Sequence, residues 1–299
     1  MTHTPAGWPP SGWPSDHPAS AVPRDPRSRP SAWAPGRFHW GDALVVAAYA
    51  VLMLLGLGGL LLMVAGLVPA NPEDMTPRDM FFMNFVSYVL LTVVVLAVAW
   101  RPLLHSLGAF RHRTWLKLLL LPATWFACIV VNMIVLSLIG EANQSANQAA
   151  LEDMTTQAPP ALMIVMTVFM APLVEEYLFR HLLIGKLSRY INVWVCAAVS
   201  IVAFVLLHFL GTGGRFELVE TVPYLTLAVA ITVSYILVGR SFGYAMALHM
   251  VNNGIAVLML YLVAPHLPDM PGQDEAQAAD VLVQGLAPLL APGAALLGL

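Results

Sequence analysis

The sequence predicts an all-α protein built as a polytopic transmembrane helical bundle. Of its 299 residues, 59% are hydrophobic and 10% are charged, whereas a soluble domain carries about 25% charged residues. The apolar residues are gathered into runs long enough to cross a bilayer, which requires about 20 residues per helix. Basic residues are concentrated in alternate connections between these runs, as expected of loops retained on one side of a membrane. We therefore expect lipid, rather than nucleic acid, as the main environment of a chain whose net charge is −3.

Seven apolar runs qualify as membrane-spanning helices. In chain order they cover residues 42–68, 81–100, 116–140, 161–184, 193–211, 222–239 and 243–264. Aromatic residues lie at several of their ends, as is typical of the membrane–water interface: Trp40, Trp100, Trp115 and Tyr190. The apolar stretch 281–299, which contains several prolines and glycines, is either an eighth span or an interfacial tail.

The distribution of charge predicts a cytoplasmic N-terminus. When the spans alternate in direction, the predicted inner regions contain Arg24, Arg27, Arg29, Arg37, Arg101, Arg111, Arg113, Lys117, Lys186, Arg189 and Arg240. The predicted outer loops contain only Arg78 and Arg215, and the acidic residues of the loops show the reverse distribution. Because basic residues are retained on the cytoplasmic side, one orientation satisfies every loop.

The chain divides into three regions. Residues 1–38, rich in Pro, Ser and Gly, are expected to form a disordered cytoplasmic tail because they cannot bury enough apolar surface to fold. Residues 39–264 form the predicted transmembrane domain, and 265–299 form an acidic extracytoplasmic segment followed by the apolar C-terminal tail. The outer connection 141–160 contains many helix formers and is interpreted either as an amphipathic helix at the interface or as a solvated connector.

A small set of ionisable residues falls inside the predicted spans. These are Glu175, Glu176 and Arg180 in the fourth span, His208 in the fifth and His249 in the seventh. A charged group at the bilayer centre costs at least about 2.5–3.5 kcal/mol on insertion scales, so such residues face an interior cavity and often mark function. A purely structural ion pair would account for Glu176 and Arg180, but not for a second carboxylate and two histidines.

Helical spacing separates the two carboxylates. Glu176 and Arg180 are four residues apart with the acid first, which is the favourable order for an ion pair on one helix face. Glu175 is rotated about 100° away from Glu176 and is predicted to have no such partner, so we assign it the chemistry. His249 and Asn253 share one face of the seventh span by the same four-residue spacing.

The expected depths of these residues are unequal. At 1.5 Å per residue from the inner boundary, Glu175 lies about 13 Å deep, His249 about 9 Å and His208 about 22 Å. A tilted helix, a kink near Pro172 or a later start of the fifth span is therefore needed to bring His208 to the other two.

Two kinds of hydrolytic site suit a carboxylate and two imidazoles around a water-containing cavity. In the first, Glu175 is the general base for a water that His208 helps to hold, and His249 and Asn253 donate hydrogen bonds to the oxyanion. In the second, Glu175, His208 and His249 bind a divalent metal such as zinc and leave one position for water. Residue types and spacing leave both open.

Three motifs carry a resemblance to a known family: Glu-Glu-x-x-x-Arg at 175–180, Phe-x-x-x-His at 204–208 and His-x-x-x-Asn at 249–253. In this order, on separate spans, they resemble the CPBP family, which contains the type II CAAX prenyl endopeptidases and the bacteriocin-processing and immunity proteins. The resemblance covers about residues 160–262 and implies an α-helical intramembrane endopeptidase. It also implies that Glu175 and His208 activate water while His249 and Asn253 stabilise the oxyanion.

Both metal-dependent and metal-free mechanisms are attributed to this family. The chain has no His-Glu-x-x-His zinc helix, so we favour the metal-free form, which requires no cofactor. On family grounds we expect a protein of the bacterial plasma membrane that cleaves a membrane protein or peptide. The sequence leaves open its oligomeric state and whether its substrate is prenylated.

Two rival functions remain at this point. Buried Glu and His residues also line ion pathways, which would suit a transporter or proton-relay protein, although the repeated half-structures typical of transporters are not evident. A catalytically idle scaffold or immunity protein of the same family is the second rival. The Gly-x-Ser-x-Gly pattern at 239–243 lies in a predicted turn between two spans, not in a strand-to-helix elbow, and we assign it no chemistry.

Overall fold

A computed structural model describes residues 33–139, 157–209 and 218–262. Within these ranges the ordered elements are helical and there is no β-strand. The expectations for the N-terminal tail up to residue 32, for the outer connection 140–156 and for the C-terminal stretch 263–299 lie outside the described residues.

Eight helices make up the described part of the chain. They are α1 (Trp40–Leu54), α2 (Leu57–Val64), α3 (Pro77–Leu107), α4 (Thr114–Ile139), α5 (Pro160–Arg189), α6 (Val193–Phe209), α7 (Leu218–Leu237) and α8 (Phe242–Leu262). Helices α3, α4, α5 and α8 are each long and apolar enough to cross a membrane. Helices α1 and α2 form a bent apolar pair, as in a broken span or a re-entrant loop, and α6 and α7 are shorter apolar helices. The prediction of an all-α integral membrane protein is confirmed.

The first predicted span is bent rather than continuous. Helices α1 and α2 meet at 58°, and Gly56 between them has a left-handed backbone with φ of 65°, which glycine adopts without steric cost. Beyond the bend, α2 lies so close to α3 that a Cβ atom at Gly58 would overlap the Ser87 side chain. The predicted run 42–68 is therefore divided into two helices, because these glycines permit both the bend and the close approach.

Helix α5 is the most enclosed of the four long helices α3, α4, α5 and α8. Of its apolar 18-residue window, 72% is buried, against 39% for the next most enclosed spans. Its α-helical turn Ala171–Glu176 lies between two π-helical segments, Val165–Met170 and Tyr177–Lys186. Pro172 has no amide hydrogen to continue the regular ladder, and a π-helical turn is a common way for a helix to absorb such an interruption. The two adjacent carboxylates thus lie on a short α-helical turn that is shielded from lipid.

A buried ion pair ties α1 to the C-terminal half of α5. Lys186 Nζ lies 2.7 Å from both carboxylate oxygens of Asp42, and Tyr177 Oη donates a hydrogen bond to Asp42 Oδ1 at 2.6 Å. The backbone amide of His39 donates to Asp42 Oδ2 at 2.9 Å. Asp42 and Lys186 are both buried, so this carboxylate is satisfied entirely from within the protein.

The sequence analysis does not identify this cluster. The charge pattern places Lys186 in an inner region without assigning it a partner, and the five ionisable residues that it finds within the spans do not include these. The structure also buries Asp42, Lys186 and His181, and the His181 ring stacks on Tyr177 with centroids 5.1 Å apart. The partners of Asp42 are 135 and 144 residues away along the chain, so local spacing gives no sign of them.

Removing the cation of this pair is predicted to destabilise the protein. In Lys186→Met the Asp42 carboxylate stays buried without its counterion, and breaking a buried pair in this way costs about 3–5 kcal/mol. The double variant Asp42→Asn/Lys186→Met has no buried charge here and should regain most of that loss. Unfolding of the purified protein in detergent micelles measures both variants, with Arg101→Met as a control that removes an exposed cation. Equal stability of the single and double variants would contradict this account.

Candidate active site

Glu176 connects two of the predicted site residues. Its Oε1 accepts a hydrogen bond from Arg180 Nη1 at 3.1 Å and lies 2.8 Å from His249 Nδ1. Because an ionised carboxylate only accepts, the His249 ring donates through Nδ1–H. All three side chains are buried. The ion pair that the sequence predicts within α5 is present, and it also orients the imidazole of α8.

Arg180 extends this connection to two further helices. Its Nη2 donates to the backbone oxygen of Ala228 in α7 at 3.4 Å, and its Cζ lies 4.6 Å from the ring centroid of Phe204 in α6. A guanidinium over an aromatic face is attracted by the ring quadrupole, more strongly where water is excluded. Phe204, the aromatic residue of the Phe-x-x-x-His motif, thus has a structural role, because its ring shields and stabilises the buried Arg180 guanidinium.

Glu175 points to a different set of neighbours. Its Oε1 accepts a hydrogen bond from Tyr88 Oη of α3 at 3.1 Å. Its Oε2 has no hydrogen-bond partner among the described residues and lies 4.0 Å from His249 Nε2. Glu175 is 2% exposed. The sequence predicts only that Glu175 lacks an ion-pair partner like that of Glu176, and the structure adds a hydrogen-bond partner for one oxygen from a distant span.

His208 and His249 both lie beside the ring of Phe204. The Nδ1 atom of His208 is 2.7 Å from the backbone oxygen of Phe204, which can only accept, so Nδ1 carries the hydrogen and Nε2 is the acceptor of the neutral ring. The Phe204 ring lies beside both histidines, with centroid distances of 4.4 Å to His208 and 6.0 Å to His249. Within the described ranges no hydrogen bond or ion pair joins His208 to Glu175, as the unequal depths from the sequence suggest.

Asn253 binds the backbone of α5. Its Nδ2 donates to Thr167 O at 2.8 Å, and its Oδ1 accepts from Asn252 Nδ2 at 3.2 Å. Thr167 belongs to the first π-helical segment of α5, and Asn253 lies four residues, about 6 Å along the helix axis, beyond His249. The structure therefore places Asn253 beside the cluster, holding α8 against α5, and its Nδ2 carries a second hydrogen.

Several contacting groups escape the sequence analysis, and Tyr88 is the most informative of them. The face of α3 that turns inward is formed by Asn84, Ser87, Tyr88, Leu91 and Val95, all of them buried. These residues follow the three- and four-residue spacing of a single helix face. Three polar side chains at the start of that face, inside an apolar span, are the signal that marks α3 as part of the polar interior.

The candidate metal ligands do not form a metal-binding set as they stand. Across the described ranges, no group of three or more His, Cys, Asp or Glu side chains has an arrangement that could hold a metal ion. His249 and His208 each use Nδ1 in a hydrogen bond and leave Nε2 available, an orientation that metal-binding histidines also adopt. Their positions relative to Glu175 nevertheless do not form a metal-binding group among the described residues, and no step is derived through a metal.

Ser241 in the Gly-x-Ser-x-Gly pattern is a helix cap. Its hydroxyl donates to Ser106 O at 2.8 Å and accepts from the backbone amide of Tyr244 at 3.1 Å. The preceding residues Gly239 and Arg240 have positive φ, as in a tight turn. Both hydrogen-bonding capacities of this hydroxyl serve the turn and the start of α8.

Comparison with known proteins locates this cluster within a family. Residues 157–255 match the sequence model of the family described as type II CAAX prenyl endopeptidase Rce1-like. The match covers α5, α6, α7 and the first part of α8, and with them all the predicted site residues on those helices. No curated protein and no solved structure matches the chain. Over these residues the chain is similar to the CAAX-type intramembrane proteases, as the three sequence motifs predict.

Proposed function

We propose that the protein hydrolyses a peptide bond in a membrane-associated protein or peptide, with Glu175 as the general base. The observation that carries this proposal is the environment of Glu175 Oε2, which is buried, has no hydrogen-bond partner among the described residues and lies 4.0 Å from His249 Nε2. This separation is too long for a direct hydrogen bond. A single water placed to one side can bond to both atoms, and it would then have a base within reach.

The proposed reaction has one proton to move. Glu175 Oε2 removes a proton from the water while the water oxygen attacks the carbonyl carbon of the substrate. The carbonyl oxygen becomes an oxyanion, and Glu175 then gives the proton to the leaving amine as the carbon–nitrogen bond breaks. The base must lie within hydrogen-bond reach of the proton that it removes, which the position of Oε2 next to the candidate water site satisfies.

His249 and Asn253 are proposed as donors to the oxyanion. His249 uses its Nδ1–H to bond Glu176, so Nε2 is the nitrogen left for the oxyanion. Nε2 donates a hydrogen bond when the imidazole is protonated, and the Glu176 carboxylate then balances the positive charge of the ring. Asn253 would contribute the second hydrogen on Nδ2. His208 Nε2 is proposed to hold the water from the side of α6. Catalytic hydrogen bonds are often long in unliganded enzymes and shorten in the complex, so we expect His208 and Asn253 to approach when substrate binds.

Replacing the base tests the proposed function. Glu175→Gln keeps the shape of the side chain and removes its basicity, so the rate should fall roughly 10²- to 10⁴-fold. The probes are two quenched fluorescent peptides with a CAAX ending, one with a farnesylated cysteine and one without, incubated with protein in liposomes. Glu73→Gln, an exposed acid, is the matched control and should retain the wild-type rate.

A second measurement covers substrates that neither peptide represents. The termini of membrane-protein fragments are compared between cells that carry wild type and cells that carry Glu175→Ala. A protease leaves termini that depend on Glu175, whereas a transporter or an idle scaffold leaves the same termini in both. Identical termini, or full activity of Glu175→Gln on a cleaved peptide, would contradict the proposal.

Metal removal distinguishes the two hydrolytic mechanisms. We propose the metal-free form, because no three His, Cys, Asp or Glu side chains among the described residues are arranged to hold a metal ion. Activity should therefore survive dialysis against EDTA and 1,10-phenanthroline, measured on whichever substrate wild type cleaves. If activity is lost and is restored by zinc but not by magnesium, the metal-free mechanism is overturned. That result would still leave Glu175 in the site.

The orientation in the membrane remains a proposal, supported by the asymmetry of basic residues. Single cysteines at two exposed positions, Glu73→Cys and His112→Cys, in a variant without Cys128 and Cys196, test it in intact cells. A membrane-impermeant maleimide should label position 73 at once and position 112 only after the membrane is permeabilised. The reverse order of labelling would place the N-terminus outside.

A further inference from the structure

We propose that Tyr88 is a positioning residue for the Glu175 carboxylate, supplied by a helix outside the family-matched region. This inference rests on the proposed function, because it concerns how the general base is held. Tyr88 lies in α3, whereas the family match begins at residue 157. Nothing in the match assigns a role to any residue of α3.

The geometry gives the two oxygens of Glu175 different tasks. Tyr88 Oη donates to Oε1 at 3.1 Å, while Oε2 faces His249 Nε2. The terminal torsion of a glutamate is broad and roughly two-fold, so a carboxylate without a fixed partner samples many orientations. A hydrogen bond to one oxygen fixes the plane of the group, and therefore the direction in which the other oxygen presents its lone pairs.

Among the described residues, no other side chain is in place to do this. Arg180, the nearest cation along α5, is bonded to Glu176, and His249 Nε2 is too far from Oε2 for a hydrogen bond at 4.0 Å. Within the part of the chain that the structure describes, Tyr88 is the one hydrogen-bond donor to the Glu175 side chain. Leaving a buried carboxylate without any donor is unfavourable, so this hydroxyl also makes the buried position tolerable.

Helix α3 holds Tyr88 firmly enough for such a role. Ser87 packs directly on Gly58 of α2, and its hydroxyl donates to Met83 O at 2.9 Å. Leu91, one turn further along the same face, is fully buried. Tyr88 itself is 1% exposed, and a tyrosine has only two side-chain torsions to fix. The hydroxyl is thus delivered by a rigid element rather than by a loop.

The test removes one oxygen atom. In Tyr88→Phe the ring remains and the hydrogen bond to Oε1 is lost, so kcat should fall about 10- to 100-fold through misplacement of the base. KM should stay within about twofold, because substrate contacts are unchanged. The assay uses the CAAX peptide or cellular substrate that distinguishes wild type from Glu175→Gln.

Tyr177→Phe is the matched control. It also removes a buried tyrosine hydroxyl that is bonded to a buried carboxylate, here Asp42, which has no part in the proposed reaction. It should lower the unfolding temperature about as much as Tyr88→Phe does and keep kcat. A wild-type kcat in Tyr88→Phe, or an equal loss of kcat in Tyr177→Phe, would overturn the proposal.

An infrared measurement tests the same contact without any substrate. The carboxyl band of Glu175 is identified as the one that disappears in Glu175→Gln. It should shift in Tyr88→Phe and stay in place in Tyr177→Phe, and an unshifted band in Tyr88→Phe would contradict the hydrogen bond itself. If Glu175→Gln proves fully active, the proposed function fails, and the infrared band still decides whether Tyr88 holds Glu175.

Discussion

The arrangement of this protein depends on one constraint, which is that ionised groups cannot face lipid without partners. Burying a charge is tolerated where an opposite charge and hydrogen bonds replace water. Glu176, Arg180 and His249 meet this requirement together, since Glu176 Oε1 contacts both other residues. The helix that carries the carboxylates is accordingly the most enclosed of the long spans, and α6, α7 and α8 are each tied to it through this cluster.

The pairing of Glu176 leaves its neighbour available. The adjacent carboxylates of Glu175 and Glu176 point in different directions. Both the Arg180 guanidinium and the Nδ1 atom of His249 bond to Glu176. Glu175 keeps an oxygen that faces an imidazole nitrogen without bonding to it. The bundle therefore holds one carboxylate in an ion pair and leaves the other for the proposed chemistry, and the difference comes from their partners, not from their residue type.

Contacts within one helix could be predicted from the sequence, and contacts between distant helices could not. Hydropathy located all seven helical regions, and the four-residue spacing of Glu176 and Arg180 predicted their ion pair. The bond between Tyr88 and Glu175 spans 87 residues, and the one between Asp42 and Lys186 spans 144. Periodicity shows which face of α3 turns inward but not what that face meets. The break at Gly56 was also missed, because hydropathy does not register backbone conformation.

Two long-range contacts connect the family-matched region to helices that precede it in the chain. The match begins at residue 157, yet Tyr88 binds Glu175 from α3 and Asp42 binds Lys186 from α1. Both partners lie before the match, and each is attached to a buried charged side chain of α5 that would otherwise need another source of hydrogen bonds. The matched helices thus contain the proposed reacting groups, Tyr88 of α3 bonds to the proposed base, and Asp42 of α1 bonds to α5 at a separate point. It follows that α1 and α3 support the matched helices, even though they carry none of the motifs.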